Sequence, residues 1–367
     1  MPTVADLENY LRDFAPPHRA AEWDNVGLIL GARFSPVSRV LTCLTVTPEV
    51  IEEAIAGAVQ MIVSHHPMLF RPAQKLTDST PEGRMVLALL RQNIAVFSPH
   101  TAFDNCCGGI NDLLATRLGL VEIGPLRPFE GRKQCKFVVF VPEKDLVRVS
   151  DAMFAAGAGM IGQYSRCSFR TAGTGTFFGS DAANPTIGQK GRREEVNEWR
   201  LEAVCSESSV DAVIAAMRRA HSYEEPAFDV YPMRVVKEPL GEGRIGMLAQ
   251  PVSLGNWATK IRSLLKCGPV QVVGELGKPI SKIALACGAA GEYLGDAVRL
   301  RADVLLSGEM RFHDYLSAKA QGIALVLPGH YSTERPGIEA LAERLQARWP
   351  DIIVTASTRE TDPVAWT

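Results

Sequence analysis

Three short patches of the chain concentrate residues that bind metal ions and move protons. Four of the seven histidines lie in them. The first patch is His65-His66-Pro67. The second runs Pro99-His100-Thr101-Ala102-Phe103-Asp104-Asn105. The third runs Pro328-Gly329-His330-Tyr331-Ser332-Thr333-Glu334-Arg335. Imidazole with carboxylate suits Zn, Mn, Fe, Co or Ni, and the lack of cysteine ligands argues against a thiolate zinc site. Adjacent histidines in extended chain point to opposite sides, so His65 and His66 serve two neighbouring ions more readily than one. His330 and Glu334 are four apart, so a helix that begins there presents both from one face. Gly329 lets the backbone approach closely. A carboxylate, Asp104 or Glu334, can bridge two ions. Ions about 3.5–4 Å apart activate a bridging water and hold a phosphoryl or carbonyl oxygen.

Each patch has a plainer reading. A lone histidine pair is usually a surface or packed pair. An acid four residues after a histidine is commonly a solvated turn or an N-cap. The coincidence outweighs these readings, because each patch directly follows an apolar run of strand length. QMIVS precedes His65, IAVFS precedes Pro99, and IALVL precedes Pro328. In open α/β sheets ligands bind at the carboxyl ends of strands.

Other candidates are weaker. His100 reads equally as an orienting partner, a general acid or base, or a packed ring. His313 follows the apolar run DVLL and could line the same cleft, with Ser307-Gly308-Glu309 as a substrate contact. His18, after two prolines, reads as surface. His221, near Glu224 and Glu225, reads as a solvated turn. The glycine-rich passage at 157–179 has no GxxxxGK[ST] and no dinucleotide-binding context, so its glycines read as turns and hairpin crossings. The eight cysteines include no CxxC pair and read as packed, reduced thiols.

The elements that must position the patches alternate. A helical pattern from Thr3 to Phe14 stops at Pro16-Pro17. Apolar runs at 39–46, 60–64 and 94–98 read as buried strands, with helices from Pro48 to Ala58 and over 82–92. The C-terminal part repeats the style. It has strands at 282–287, 303–306, 323–327 and 351–355, and helices through Val298, near 312–320 and over 337–347. Continuous apolar strands between helices predict a sheet covered on both faces. The middle differs: strands at 136–142, 199–205 and 227–234, helices over 145–156 and 209–220, and the glycine passage. That order suits a ferredoxin-like insert. The expected division is a core lobe at 1–130, an insert at 131–236 and a second core lobe at 237–367, with 237–246 as linker. The expected fold class is α/β: two lobes with mostly parallel sheets form one core, interrupted by an α+β insert.

Composition sets bounds. The chain has 367 residues, 46% hydrophobic and 22% charged, with a formal net charge of −2. That balance argues against nucleic-acid binding driven by bulk charge. No run reaches the length of a membrane span, and the N-terminus has no basic region followed by an apolar run. The expected compartment is the cytoplasm.

These residues resemble a known family, the dinuclear-metal-centre hexameric proteins related to Ngg-interacting factor three, often labelled GTP cyclohydrolase I type 2 homologues. The segments AEWDNVGLILG (21–31), IVSHHPMLF (62–70), SPHTAFDN (98–105), LLSGEMRFHD (305–314) and GHYSTER (329–335) carry the resemblance. The middle segment is similar to the PII and CutA-like insert of long members. The resemblance implies that His65, His66, Asp104, His330 and Glu334 hold two divalent metal ions, with Glu334 as the bridge. It implies a homohexameric toroid and places Trp23-Asp24-Asn25 near the site. Where the family pattern runs like LDVT, this chain has Leu44-Thr45-Val46-Thr47, so one carboxylate beside the site is lost.

The expected activity is metal-dependent hydrolysis of a small-molecule substrate, a nucleotide among the candidates. Either a purine ring carbon or a phosphoester is attacked by a metal-activated water, with His100 moving the proton. The alternative is a non-catalytic metal-binding scaffold, chaperone or ligand-sensing regulator.

Overall fold

The apolar runs become the central strands of two sheets in the computed structural model, which describes residues 1–131, 133–235 and 238–365. The first sheet has the order Gly27–Leu30, Ala95–Ser98, Met61–Ser64, Arg39–Cys43, Ile353–Ala356. Its last four strands run parallel, and Gly27–Leu30 is antiparallel to Ala95–Ser98. Every residue of Met61–Ser64 and Ala95–Ser98 is buried. Alternate side chains sort to opposite faces, as the strand period of two requires. Met61, Val63, Ala95 and Phe97 join one core cluster, while Ile62 and Val96 join another. The helix Val4–Phe14 covers the first face with Leu7 and Leu11, and a capping box at Thr3 and Asp6 starts it.

The second sheet has the order Gln271–Val273, Ala324–Leu327, Val304–Leu306, Pro279–Leu285, Gly241–Ser253, Leu120–Pro128. Its middle pairs, Ala324–Leu327 with Val304–Leu306 and Val304–Leu306 with Pro279–Leu285, are parallel. The flanking pairs are antiparallel. Leu285, Leu306 and Val326 share one cluster with Met61 and Phe97 of the first sheet. Trp257, on the helix Leu254–Leu264, is buried in the same cluster.

The chain divides into two compact units. One comprises Met1–Phe129 with Pro239–Thr367, and the other is Glu130–Glu238. The second unit has a four-stranded antiparallel sheet in the order Phe169–Phe178, Arg193–Ser206, Gln134–Val141, Phe228–Pro232. Helices Leu146–Ala155 and Val210–Ala220 contribute Val149, Met153, Val213 and Met217 to its core, against Phe137, Val139 and Leu201. The chain order there is β-α-β-β-α-β.

Three expectations need correction. Residues 241–246, read as linker, open the strand Gly241–Ser253. Their glycines serve close approach rather than freedom: a Cβ on Gly241 would lie 2.1 Å from the Arg127 carbonyl oxygen of the neighbouring strand. Residues 169–178 of the glycine passage form a ten-residue strand rather than turns, paired along its length with Arg193–Ser206. The last helix, expected over 337–347, spans His330–Arg348 with Pro336 inside it. A proline in the second turn of a helix removes one backbone hydrogen bond, and the buried residues on either side hold the turn in place.

Candidate metal centre

The His65-His66 patch is fixed by backbone bonds to the end of the neighbouring strand and the residue after it. The His65 N–H donates to the Cys43 carbonyl at 3.0 Å and the His66 N–H to the Leu44 carbonyl at 2.8 Å. The Ser98 hydroxyl donates to the His65 carbonyl at 2.6 Å, and Ser64 to the His66 carbonyl at 2.7 Å. His100 opens the short helix His100–Asn105, which carries Asp104. His100 has φ +31°, a left-handed value that L-residues seldom adopt. Gly329, at φ +108°, turns the chain from its strand into the long helix, so His330 and Glu334 fall one turn apart.

Four of the five expected ligands meet at one carboxylate oxygen. Glu334 Oε2 lies 3.1 Å from His66 Nε2, 3.1 Å from His330 Nε2 and 3.9 Å from His65 Nε2. Asp104 Oδ1 lies 3.5 Å from His65 Nε2. Two donor sets result, each with its atoms within 4.8 Å of one another: His66, His330 and Glu334, and His65, Asp104 and Glu334. Glu334 belongs to both. A third set, His65, His66 and His100, includes the residue whose role the sequence left open.

His65 and Glu334 are buried and the other donors partly so, and several donor atoms lack hydrogen bonds. Both ring nitrogens of His65, the Nε2 of His330 and the Oε2 of Glu334 have no hydrogen-bond partner. Buried polar atoms without partners are costly and rare. Orphaned imidazole and carboxylate donors that face one another fit a divalent cation shell of nitrogen and oxygen ligands.

A second layer orients the rings. His66 Nδ1 lies 2.8 Å from the Thr45 hydroxyl, His330 Nδ1 lies 3.0 Å from Glu309, and His100 Nδ1 lies 2.7 Å from Asp24. Each contact holds one ring nitrogen and leaves Nε2 turned to the cluster. Thr45 thus orients the His66 ring through its hydroxyl. The Asp24 side chain is wholly buried and accepts three more bonds, from the Thr101 N–H at 3.1 Å, the Thr101 hydroxyl at 2.5 Å and the Asn25 N–H at 2.8 Å.

The electrostatics follow the packing. Burial pushes His65 well below the usual imidazole range, which favours the neutral, ligating form. Burial and the Glu334 charge push Asp104 up to about 7. Burial opposes ionisation of Glu334, but His65, His330 and His66 outweigh it and hold the carboxyl well below its ordinary value. Burial likewise opposes charge on His100, and the Asp24 hydrogen bond and the Asp104 charge reverse that and raise it.

The remaining sequence candidates divide. Glu309 reaches the cluster through His330. Ser307 does not face it: its hydroxyl donates to the Gly288 carbonyl and accepts from the Ala290 N–H. His313 is exposed, beside Phe312. His18 lies in the short turn Pro17–Arg19 and joins no donor set. His221, read as a solvated turn, is buried instead. It accepts from the Tyr223 N–H and meets the Phe140 carbonyl at 3.0 Å.

Sequence reasoning missed three residues that shape the centre. The Cys287 thiol donates to Asp104 Oδ1 at 3.1 Å. A Cβ on Gly288 would lie 2.3 Å from Glu334 Oε1. Arg244, 3% exposed, donates to the Asn105 carbonyl at 3.1 Å and to the Gly241 and Gly243 carbonyls, and it pairs with Asp112. None belongs to a pattern of chemistry-bearing residues, so only the fold reveals them.

The sequence model of Duf34/NIF3 (NGG1p interacting factor 3) matches residues 2–363. The chain belongs to this family. It is 38% identical over 353 residues to the GTP cyclohydrolase 1 type 2 homolog of Halalkalibacterium halodurans, covering 95% of each chain. It is 36% identical over 354 residues to the protein of the same name from Bacillus subtilis, again covering 95% of each. Among solved structures, a Bacillus cereus protein related to NIF3 superposes with a TM-score of 0.70 at 35% identity, over 100% of this chain and 99% of that one. Staphylococcus aureus protein SA1388 superposes with a TM-score of 0.81 at 28% identity, with the same coverage. The family's α/β fold is thus shared along the whole chain.

Proposed function

We propose that His65, His66, Asp104, His330 and Glu334 hold two divalent metal ions, and that the centre hydrolyses a small-molecule substrate. The observation that carries this reading is the shared position of Glu334 in two donor sets. Bound divalent ions would supply Lewis acidity and lower the pKa of water. His100 is the group for proton transfer, because Asp24 holds its Nδ1 and its ring stands 5.1 Å from that of His65. All seven residues, Asp24 included, belong to the core segments 1–130 and 237–367, and the insert at 131–236 contributes none. The family resemblance and the name shared by the curated relatives support a nucleotide or phosphoester as the substrate class. The same reading takes the protein as a cytoplasmic homohexamer. Among the described residues, no helix is long and apolar enough to cross a membrane.

The test is turnover of GTP and of generic phosphodiesters by protein loaded with Mn, Zn, Fe or Co, beside a Glu334→Ala control. Turnover that the control lacks supports hydrolysis. Equal rates in both, with every metal, sink it.

One observation favours a second reading, a ligand-sensing regulator without catalysis. The second unit holds a cavity of about 700 Å³ lined by Phe140, Phe177, Ile187, Tyr223 and the glycines of the strand Phe169–Phe178. Binding of a small ligand there by the intact protein, with no turnover on any substrate, would favour it.

A further inference from the structure

Two cavities flank the centre, and His66 and His330 line both. His100, Asp104 and Glu334 line the smaller one and not the larger. The smaller cavity measures about 220 Å³, below the roughly 300–1,000 Å³ of typical small-molecule sites. It has room for a reacting group such as a phosphoryl group, and too little for a whole nucleotide. The rest of such a molecule must lie at the mouth.

The mouth carries two exposed aromatic rings. Trp23 lines the cavity and is 59% exposed, and Phe70 beside it is 47% exposed. Their ring centroids stand 5.7 Å apart. Each ring also meets the edge of His100, Trp23 at 6.0 Å and Phe70 at 6.3 Å. Single exposed apolar residues are common, but an aromatic pair at the rim of a polar cavity marks a contact surface.

The turn beneath the pair is pinned on both sides. The Ala21 N–H donates to the Thr101 hydroxyl at 3.0 Å, and the Asp24 N–H donates to the Ala21 carbonyl at 3.0 Å. The Asn25 side-chain amide donates to the Leu69 carbonyl at 2.6 Å, which ties the Trp23 turn to the residue before Phe70. The backbone that carries the indole is therefore fixed before a ligand arrives, and little ordering cost falls on binding.

The two ends of the cavity differ in charge. The imidazoles of His66, His100 and His330 line the inner end, among the proposed metal ligands. The other acids of the wall, Glu242 and Glu292, are both paired with Arg127, at 3.1 and 3.2 Å. The inner end thus suits an anionic group, and the outer end an uncharged flat ring.

We propose that Trp23, backed by Phe70, is a stacking platform for the base of a nucleotide whose phosphoryl group enters the His100-side cavity. The inference rests on the reading that the cluster hydrolyses a nucleotide or phosphoester, and it narrows that reading. The base is held outside, and the phosphoester is the reacting end. Every base has a π-face to lay on an indole, so the platform binds bases with little discrimination among them.

The test is calorimetric binding of AMP, GMP and ribose 5-phosphate to the intact Mn-loaded protein. Ribose 5-phosphate keeps the sugar and the phosphate and lacks the base. AMP and GMP should bind about tenfold tighter than ribose 5-phosphate, the worth of one stacked base. Trp23→Ala should remove that advantage and leave metal content and ribose 5-phosphate binding unchanged, while Trp23→Phe should keep most of it. Equal binding of the three ligands by the native protein overturns the proposal, as does no binding of either nucleotide. So does a Trp23→Ala variant that keeps the advantage. A smaller assembly in sedimentation of Trp23→Ala also overturns it, because the pair is then a contact between copies of the chain. Turnover beside the Glu334→Ala control reads the hydrolase assignment separately, so either reading can fail alone.

Discussion

Gly288→Ala separates the backbone from the centre it supports. Gly288 sits at φ +63°, and a Cβ there would lie 2.3 Å from Glu334 Oε1 and 3.2 Å from His330 Nε2. Two costs follow. A residue with a Cβ held in the left-handed region loses about 1–2 kcal/mol. The second cost falls on the carboxylate, which must retreat by roughly an ångström to reach ordinary contact distance. Glu334 is 3% exposed and lies between three histidines, so it has little room to retreat. A shift of that size in an element that supports a metal site costs about 10–100-fold in metal affinity. Gly322→Ala is the control. It has φ +73° with nothing within 4 Å of the added atom, so it carries the first cost alone. Denaturant unfolding of both metal-stripped variants reads the backbone cost, and titration with Co or Mn reads the second. Gly288→Ala should lose metal affinity while Gly322→Ala keeps it. Equal affinity in the two variants refutes the view that the Glu334 position sets the site.

Three further predictions rest on the residues around the cluster. Thr45→Val removes the hydroxyl at His66 Nδ1 and should weaken metal binding about 10–100-fold; Thr45→Asp, which restores a carboxylate, should match or exceed the native affinity in the same titration. Asp24→Asn leaves the five proposed ligands untouched but changes the partner that fixes His100; metal content by elemental analysis should stay the same while turnover falls about 10²–10⁴-fold, the usual worth of a general acid or base. His221 is held neutral, because burial lowers its pKa and the Tyr223 N–H occupies Nδ1. Its unfolded form, with a pKa of about 6.5, takes up a proton first as pH falls. Its contribution is therefore whole above that pH and declines below it. Urea unfolding between pH 8 and 5.5 should show a smaller loss of stability in His221→Gln than in the native protein.

Much of the site was legible because its residues repeat one device. A buried parallel strand reads as an unbroken apolar run, and the residue after it emerges at the sheet's carboxyl edge. His65 and His66, Asp104 through its short helix, and His330 with Glu334 all use that exit. The sequence showed the exits without showing which neighbour each strand would have. The parallel pairing of Met61–Ser64 with Ala95–Ser98 could be guessed from nearness in the chain. That the first unit also brings the strand ending at Leu327 and its following helix to the same place is a fact of long-range packing.

The illegible parts share a different cause. Gly288, Gly241 and Arg244 act on the backbone rather than through a recognisable chemical group. Gly288 makes room for a carboxylate 46 positions later in the chain. Gly241 makes room for a neighbouring strand. Arg244 ties the carbonyl after Asp104 to those of Gly241 and Gly243. Such roles depend on what lies within about 3–4 Å in the folded chain, which local sequence does not encode. Thr45 shows the limit from the other side. Its difference from the family pattern was visible as a lost carboxylate, which on sequence alone put one partner of the site and the family's usual activity in question. Only the 2.8 Å contact shows that the Thr45 hydroxyl holds the His66 ring. A hydroxyl holds the ring without adding charge beside it, so Thr45→Asp should change metal affinity before it changes the geometry of the site.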